Sequence, residues 1–296
     1  FSSSGLENPL LHFLIATFMW VYLRMDADYR KFKCMWLITG LLFLTRPDAI
    51  IYVILPVLID SVQIHIKLFK KLMLIFYGLL PAILWSLFSL LYFGVPFPNT
   101  ALAKISTGIP LIARFPQALE YLLWSLKNDK LSIILIIMAI YLGFISKNNK
   151  IKCIVVNLLL WIVYLFAIGA DYMAGRFLSA SILISVIIIC ISLPNYKIKG
   201  AAAFVAVTLL QSHALSFTLF SPFSYKHFEI SKAGIADERG FYYQNLGLRP
   251  VFKNGWKTHP WYQQGLKLST ATGVYTRATI GMAGYAGGPN LFWIDP

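Results

Sequence analysis

Charge is scarce in this chain, and acidic charge is scarcest. There are 12 Asp and Glu among 296 residues, and all charged residues together make up 13%. A soluble domain carries about 25%, so this dearth excludes an ordinary cytosolic enzyme and a solvated, disordered chain. Cysteine is almost as rare: Cys34, Cys153 and Cys190 are all there are. Three cysteines without metal-type spacing exclude a disulfide-rich secreted module and a zinc module. They fall in or beside apolar runs and read as small apolar packers. No internal repeat is visible. What the chain has in quantity is apolar surface, 58% hydrophobic and 16% aromatic residues with a mean hydropathy of +0.68. That composition predicts a polytopic membrane protein.

Apolar runs lie at 8–23, 34–45, 49–65, 72–93, 131–146, 153–169, 178–193 and 201–219. A full span needs about 20 residues, so 34–45 is too short to cross alone. It reads as a half-span meeting the next run at Thr45-Arg46-Pro47-Asp48. Pro47 lacks a backbone N–H and disfavours helix at Arg46, which gives the break a mechanical cause. A charged turn at that depth is tolerable only against protein or a wet cavity.

The net charge is +14, and the placement of the basic residues sets an orientation. Twelve of them, Arg24, Arg30, Lys31, Lys33, Lys67, Lys70, Lys71, Lys147, Lys150, Lys152, Lys197 and Lys199, fall between runs on one side. Six, Arg46, Lys104, Arg114, Lys127, Lys130 and Arg176, fall on the other. By the positive-inside rule the first side is cytoplasmic, and nucleic acid is not the partner that this basic excess implies. Ser2–Glu7, Arg46–Asp48, the loop 94–130, Gly169–Arg176 and the tail from 220 are then expected outside. Within the loop, apolar residues from Leu111 to Leu126 recur at helical spacing between Arg114, Gln117 and Glu120, which predicts an amphipathic helix on the outer membrane surface.

The expected fold is therefore mainly α: a multi-span membrane module over 1–219, and a small extracytoplasmic α/β domain over 220–296. The tail holds ten of the 19 glycines. Ser231–Leu246 reads as helical, and Val274–Gly281 and Leu291–Ile294 read as short strands around a Gly-rich turn. The chain opens on Phe1 and a polar Ser-Ser-Ser-Gly stretch and ends on Asp295-Pro296, so it reads as an internal fragment incomplete at both ends.

Alternation brings Glu7, Arg46, Asp48, Lys104, Asp171 and Arg176 to the same expected outer face. Charged groups at span ends are functional candidates because burying them unpaired is costly. Acidic and basic groups together suit an anionic phosphate ligand, alone or with a divalent cation. The bland readings are a helix cap for Glu7, local ion pairs for Arg46 with Asp48 and for Asp171 with Arg176, a headgroup contact for Lys104, and a turn for Asn99. Asp60, near an inner span end beside Lys67, reads as structural. His12, His65 and His213 read as packers. Tyr172, Tyr242, Tyr243, Trp256, Trp261 and Tyr285 read mostly as interface or core aromatics.

Five segments in order also carry a resemblance. They are Ser4-Gly5-Leu6-Glu7 before a span, Leu44-Thr45-Arg46-Pro47-Asp48, the Pro98-Asn99-Thr100-x-x-Ala103-Lys104 loop, Gly169-Ala170-Asp171-Tyr172-Met173-x-Gly175-Arg176-Phe177, and Gly281-x-x-Gly284-Tyr285-Ala286-Gly287 with Ile294-Asp295. Together they resemble the GT-C superfamily of polyprenyl-phosphate-sugar glycosyltransferases, and within it the bacterial terminal arabinofuranosyltransferases. The resemblance implies an enzyme of the bacterial inner membrane and cell envelope. Such an enzyme moves a sugar from a polyprenyl-phosphate donor to an extracytoplasmic glycan, glycolipid or protein acceptor, usually with inversion. It implies that Arg46, Arg176 and Lys104 hold the donor phosphate. Asp48, Asp171 and Glu7 would orient sugar hydroxyls, position the arginines or hold a cation, and Asn99 would hydrogen-bond donor or acceptor. The catalytic base is expected upstream of Phe1, so no residue here is assigned that role. A transporter or flippase of lipid-linked sugars and a non-catalytic binding protein of the envelope remain alternatives.

Overall fold

The computed structural model describes residues 7–96, 108–192, 230–238, 242, 245–277 and 280–294. Contacts divide these residues into two units, one holding residues up to 192 together with Lys232–Ile235, the other holding 230–231 and the rest from Ala236 onward.

The first unit is helical. Its elements are α1 (Asn8–Arg24), α2 (Tyr29–Thr45), a 3-10 turn (Pro47–Tyr52), α3 (Ile54–Gln63), α4 (Leu68–Phe93), α5 (Leu111–Asn128), α6 (Lys130–Ile145), α7 (Asn149–Ile168), a second 3-10 turn (Arg176–Leu178) and α8 (Ser179–Ser192). The α4 and α7 helices are long and apolar enough to cross a membrane. A third span results if α5 and α6 count as one, but they meet at 110° across Asp129. The expected run 201–219 lies outside the described residues.

Several boundaries differ from the hydropathy reading, each for a local reason. The short run at 34–45 is the later part of α2, which begins at Tyr29 because the Asp28 carboxylate accepts a hydrogen bond from the Lys31 backbone N–H at 2.8 Å. Arg30, Lys31 and Lys33 are thus helical and not in a loop. The run at 49–65 is divided. Pro47 starts the 3-10 turn, and a helix resumes only after Val53. The α2 helix ends where expected, with Arg46 in an extended conformation (φ −156°, ψ 113°).

The core of this unit is one continuous cluster that includes Leu11, Ile15, Phe18, Met35, Leu42, Tyr52, Tyr121, Ile154, Trp161, Phe177 and Ile184. The α1 helix packs on α2 and α8, α7 packs on α3, α5 and the first 3-10 turn, and α6 packs on α8. The α2–α4 crossing depends on glycine. A Cβ on Gly40 would lie 2.6 Å from the Gly78 carbonyl oxygen, and one on Gly78 would lie 2.6 Å from Trp36 Cβ. The α5 helix buries Ala118, Tyr121 and Ser125 and leaves Leu111, Ile112, Phe115, Leu119, Leu123 and Leu126 exposed. It forms where the amphipathic spacing predicts, with its apolar stripe largely exposed and Phe115 stacked on Phe166 of α7 at 4.6 Å.

The second unit contains α9 (Leu248–Asn254), α10 (Pro260–Lys267), β1 (Gly273–Thr276), α11 (Gly281–Gly287) and β2 (Leu291–Ile294). The two strands are parallel, with Gly273 opposite Leu291 and Thr276 opposite Ile294. Parallel strands need a crossover rather than a tight turn. The Gly-rich segment expected as a turn is accordingly the crossover helix α11, and β1 stops at Thr276. Its glycines permit close packing: Gly265 lies against the Ala283 carbonyl, and a Cβ on Gly287 would lie 2.7 Å from Leu291 Cδ1. Residues 231–237, expected to be helical, instead make a turn with Gly234 at φ 75° and an Ile230–Ala236 antiparallel bridge. A left-handed glycine there is incompatible with a continuous helix.

Candidate functional site

Two ends of the helical unit carry charge, and they are built differently. At one, three chain segments meet: the start of α1, the α2 break and the α7–α8 connection, which includes the second 3-10 turn. They bring together Glu7, Arg46, Asp48, Asp171 and Arg176, five of the seven residues singled out in the sequence. Asn99 and Lys104 lie outside the described residues, as does Asp295.

Arg46 is held on three sides. Its Nε and Nη2 donate to the two carboxylate oxygens of Asp48 at 3.0 and 2.6 Å, a bidentate fork. Its Nη1 lies 3.5 Å from Glu7 Oε1. Its guanidinium carbon sits 4.8 Å from the Phe177 ring centroid and 6.0 Å from that of Trp161. The extended backbone forced by Pro47 permits this geometry, because it turns the side chain back over the start of its own 3-10 turn. Asp48 also accepts from the Tyr164 hydroxyl at 3.4 Å.

Arg176 is held more loosely. Its Nη2 donates to Glu7 Oε1 at 2.9 Å, so one carboxylate oxygen touches both arginines. Its Nη1 lies 3.4 Å from Met173 Sδ and 3.7 Å from Asp171 Oδ2. Its Nε is buried without a hydrogen-bond partner among the described residues. The turn that carries Asp171 and Arg176 has Gly169, Ala170 and Gly175 at φ 78°, 60° and 73°. Ala170 is the one non-glycine residue there, and a Cβ in that region is costly. Hydrogen bonds anchor the turn: Trp161 Nε1 donates to the Phe177 carbonyl at 3.0 Å, and the Phe177 N–H donates to the Tyr121 hydroxyl at 3.3 Å.

The sequence left Glu7 open between a helix cap and a site residue. It occupies the N-cap position of α1 but makes no side-chain cap bond, and its carboxylate goes to Arg176 instead. Burial raises the Glu7 pKa, but the Arg176 hydrogen bond and the two guanidinium charges outweigh that and hold it below the ordinary glutamate value. The local pairs Arg46–Asp48 and Asp171–Arg176 both form, and Glu7 joins them into one network. Arg114 takes a structural role, donating to the Ile109 and Ala167 carbonyls at 2.9 and 3.1 Å.

Sequence reasoning missed Trp161, Tyr164, Phe177 and Asn8. Trp161 and Tyr164 follow Asn157 at helical spacing on α7, a stripe that leads to the break in α2. Asn157 itself donates to the Tyr52 carbonyl at 3.1 Å and accepts from the Leu55 N–H, tying that break to α7. Asn8 is wholly buried, and neither its Oδ1 nor its Nδ2 has a hydrogen-bond partner among the described residues.

At the opposite end, Lys31 is 2% exposed and donates to Asp60 Oδ1 at 2.6 Å. Asp60 was expected to be structural beside Lys67, but its partner is Lys31. The Tyr22 ring lies 5.2 Å from Lys31 Nζ and 5.7 Å from Lys150 Nζ, and Lys150 Nζ donates to the Tyr22 carbonyl at 3.1 Å. Cys153 is buried nearby, Cys34 is half-buried and Cys190 is exposed, so Cys190 is not a packer within this fold. His12 meets Ser179 Oγ at 3.3 Å, while His213 lies outside the described residues.

The network at Arg46 sets three carboxylates against two guanidiniums and so carries one formal negative charge. Among the described residues no group of three or more His, Cys, Asp or Glu side chains can hold a metal ion. The carboxylates instead hold the guanidinium forks in position. No protein-family model matches the chain, no curated protein matches it, and no solved structure matches it.

Proposed function

We propose that this chain is part of an integral membrane glycosyltransferase that moves a sugar from a polyprenyl-phosphate donor to an extracytoplasmic glycan, glycolipid or protein acceptor. The observation that carries the reading is the convergence of Glu7, Arg46, Asp48, Asp171 and Arg176 at one end of an apolar helical unit. The positive-inside pattern favours that end as the outer one. A lipid-linked sugar phosphate presents its phosphate at the membrane surface, where such a cluster meets it.

The two arginines then have different work. Arg46 is saturated by its fork to Asp48 and its aromatic bed, so it is the fixed partner. Arg176 keeps a free Nε and two weak contacts at Nη1, so it is the arginine able to exchange a carboxylate for a phosphate oxygen. The network carries one formal negative charge, so the departing phosphate calls for further cations, of which Lys104, in the Pro-Asn-Thr segment, would supply one and bring the sum to zero. None of the three carboxylates is assigned as base. Glu7 and Asp48 are engaged with guanidiniums, and Asp171 accepts from the Tyr172 N–H at 2.9 Å.

The test is transfer of radiolabelled sugar from polyprenyl-phosphate donors in membranes carrying the intact protein. The expected result is transfer to an extracytoplasmic acceptor, reduced about a hundredfold or more by Arg176→Gln through lost phosphate stabilisation. Movement of the intact sugar lipid across the bilayer without transfer would replace the enzyme with a transporter.

A further inference from the structure

The outer-end network contains one group that its ion pairs leave unexplained. Asn8 is 0% exposed, yet both polar atoms of its side chain lack a hydrogen-bond partner among the described residues. Exchanging amide oxygen and nitrogen changes nothing, since neither position is bonded. Leaving a buried donor and acceptor unmet costs the full desolvation penalty of each. A core position needs no amide, so the cost calls for a partner that the described residues do not provide.

Helical phase places that partner. His12 and Asn8 are four residues apart and share a face of α1. His12 reaches Ser179 Oγ on α8 at 3.3 Å. One turn outward from His12 is Asn8, and one turn outward from Ser179 is Arg176. Glu7, the neighbour of Asn8, touches Arg176 at 2.9 Å, which brings the start of α1 beside the second 3-10 turn. Arg176 Nε is the other buried donor here without a partner. The corner between the α1 start and the second 3-10 turn therefore offers an amide donor, an amide acceptor, a guanidinium N–H and the Glu7 carboxylate.

The chemistry of that set selects its ligand. A phosphate only accepts hydrogen bonds, so it cannot satisfy the amide oxygen. A hydroxyl both donates and accepts, so it satisfies the Asn8 oxygen and nitrogen in turn. We infer that Asn8 reads a hydroxyl of the transferred sugar, beside the Arg176 guanidinium that takes the phosphate. This rests on the glycosyltransferase reading and adds to it a residue that determines sugar specificity, separate from the phosphate contact.

The experiment compares the intact protein with Asn8→Leu, and with Asn8→Ala should leucine not be accommodated. Two quantities are measured on purified protein in detergent: melting temperature, and binding of polyprenyl-phosphoryl arabinose, mannose and galactose beside sugar-free polyprenyl phosphate. The native protein is expected to prefer one sugar lipid over the sugar-free phosphate. Asn8→Leu should remove that preference, weakening the sugar lipid roughly 10–100-fold while leaving the sugar-free phosphate unchanged. It should also raise the melting temperature, because two unmet polar atoms are gone. A variant that keeps the preference overturns the inference, as does a melting temperature that falls in both variants, which would mean the amide is satisfied within the fold. Native protein that binds sugar-free and sugar-bearing lipids equally overturns the inference while leaving the phosphate site standing. Native protein that binds none of the four removes the glycosyltransferase reading itself.

Discussion

The two charged ends of the helical unit solve the same physical problem in opposite ways. At the Lys31 end, one ammonium meets one carboxylate at 2.6 Å beneath the Tyr22 ring. At the Arg46 end, five groups share contacts from 2.6 to 3.7 Å, one carboxylate oxygen serves two arginines, and Arg176 and Asn8 keep unmet donors. A closed pair has nothing to offer a ligand and stabilises the junction of α2 and α3. A network with spare donors tolerates the exchange of one member, which is what a binding site requires.

That contrast can be broken most sharply at Asp60. Asp60→Leu strands a buried ammonium, and removing one partner of a buried pair costs about 3–5 kcal/mol. The double variant Lys31→Met/Asp60→Leu should recover most of the loss, as thermal unfolding in detergent would show. An undiminished melting temperature in the single variant would mean the pair is not holding α2 to α3. Arg176→Gln removes one member of a shared network, so Glu7 keeps Arg46 and the loss should be about 1–2 kcal/mol. Donor binding, measured on the same protein, should fall far more than stability does.

Protonation probes the same network. The Glu7 carboxyl sits below its unfolded value, so its contribution is complete above the ordinary carboxylate range. It is lost as pH falls through the lowered folded value. The melting temperature of the native protein should therefore drop more steeply between about pH 5 and about pH 3 than that of Glu7→Gln. Parallel acid limbs would remove Glu7 as the bridging carboxylate. The smallest effect is expected at Tyr164→Phe, where the lost 3.4 Å bond to Asp48 contributes about 0.5 kcal/mol. A larger change would move Tyr164 from the margin of the network to its centre.

Sequence reasoning reached the Arg46 end because its logic is local and periodic. Pro47 dictates a break, charges cluster at run ends, and alternation assigns the run ends to one face. The α5 helix was legible for the same reason. The Lys31–Asp60 pair was not, because its partners are 29 residues apart and each looked like an ordinary residue near a basic loop. The aromatic bed of Arg46 was hidden as well. Trp161 and Phe177 are indistinguishable in composition from the core residues beside them, and only packing shows which rings face the guanidinium. In the second unit, Leu291–Ile294 was read correctly as a strand. The Gly281–Gly287 segment was read as a turn because glycine usually signals one, whereas here small size lets α11 approach Gly265 and Leu291.

The central claim is that the Arg46 end, and not the Lys31 end, faces outward and takes the lipid-linked sugar. Single cysteines at two exposed positions, Tyr172→Cys beside Asp171 and His65→Cys between α3 and α4, test it directly in a cysteine-free background. An impermeant maleimide added outside intact cells should label position 172 and not 65, and polyprenyl-phosphoryl sugar should slow labelling at 172. Labelling of 65 from outside, or no protection at 172 by any of the sugar lipids, would contradict the account.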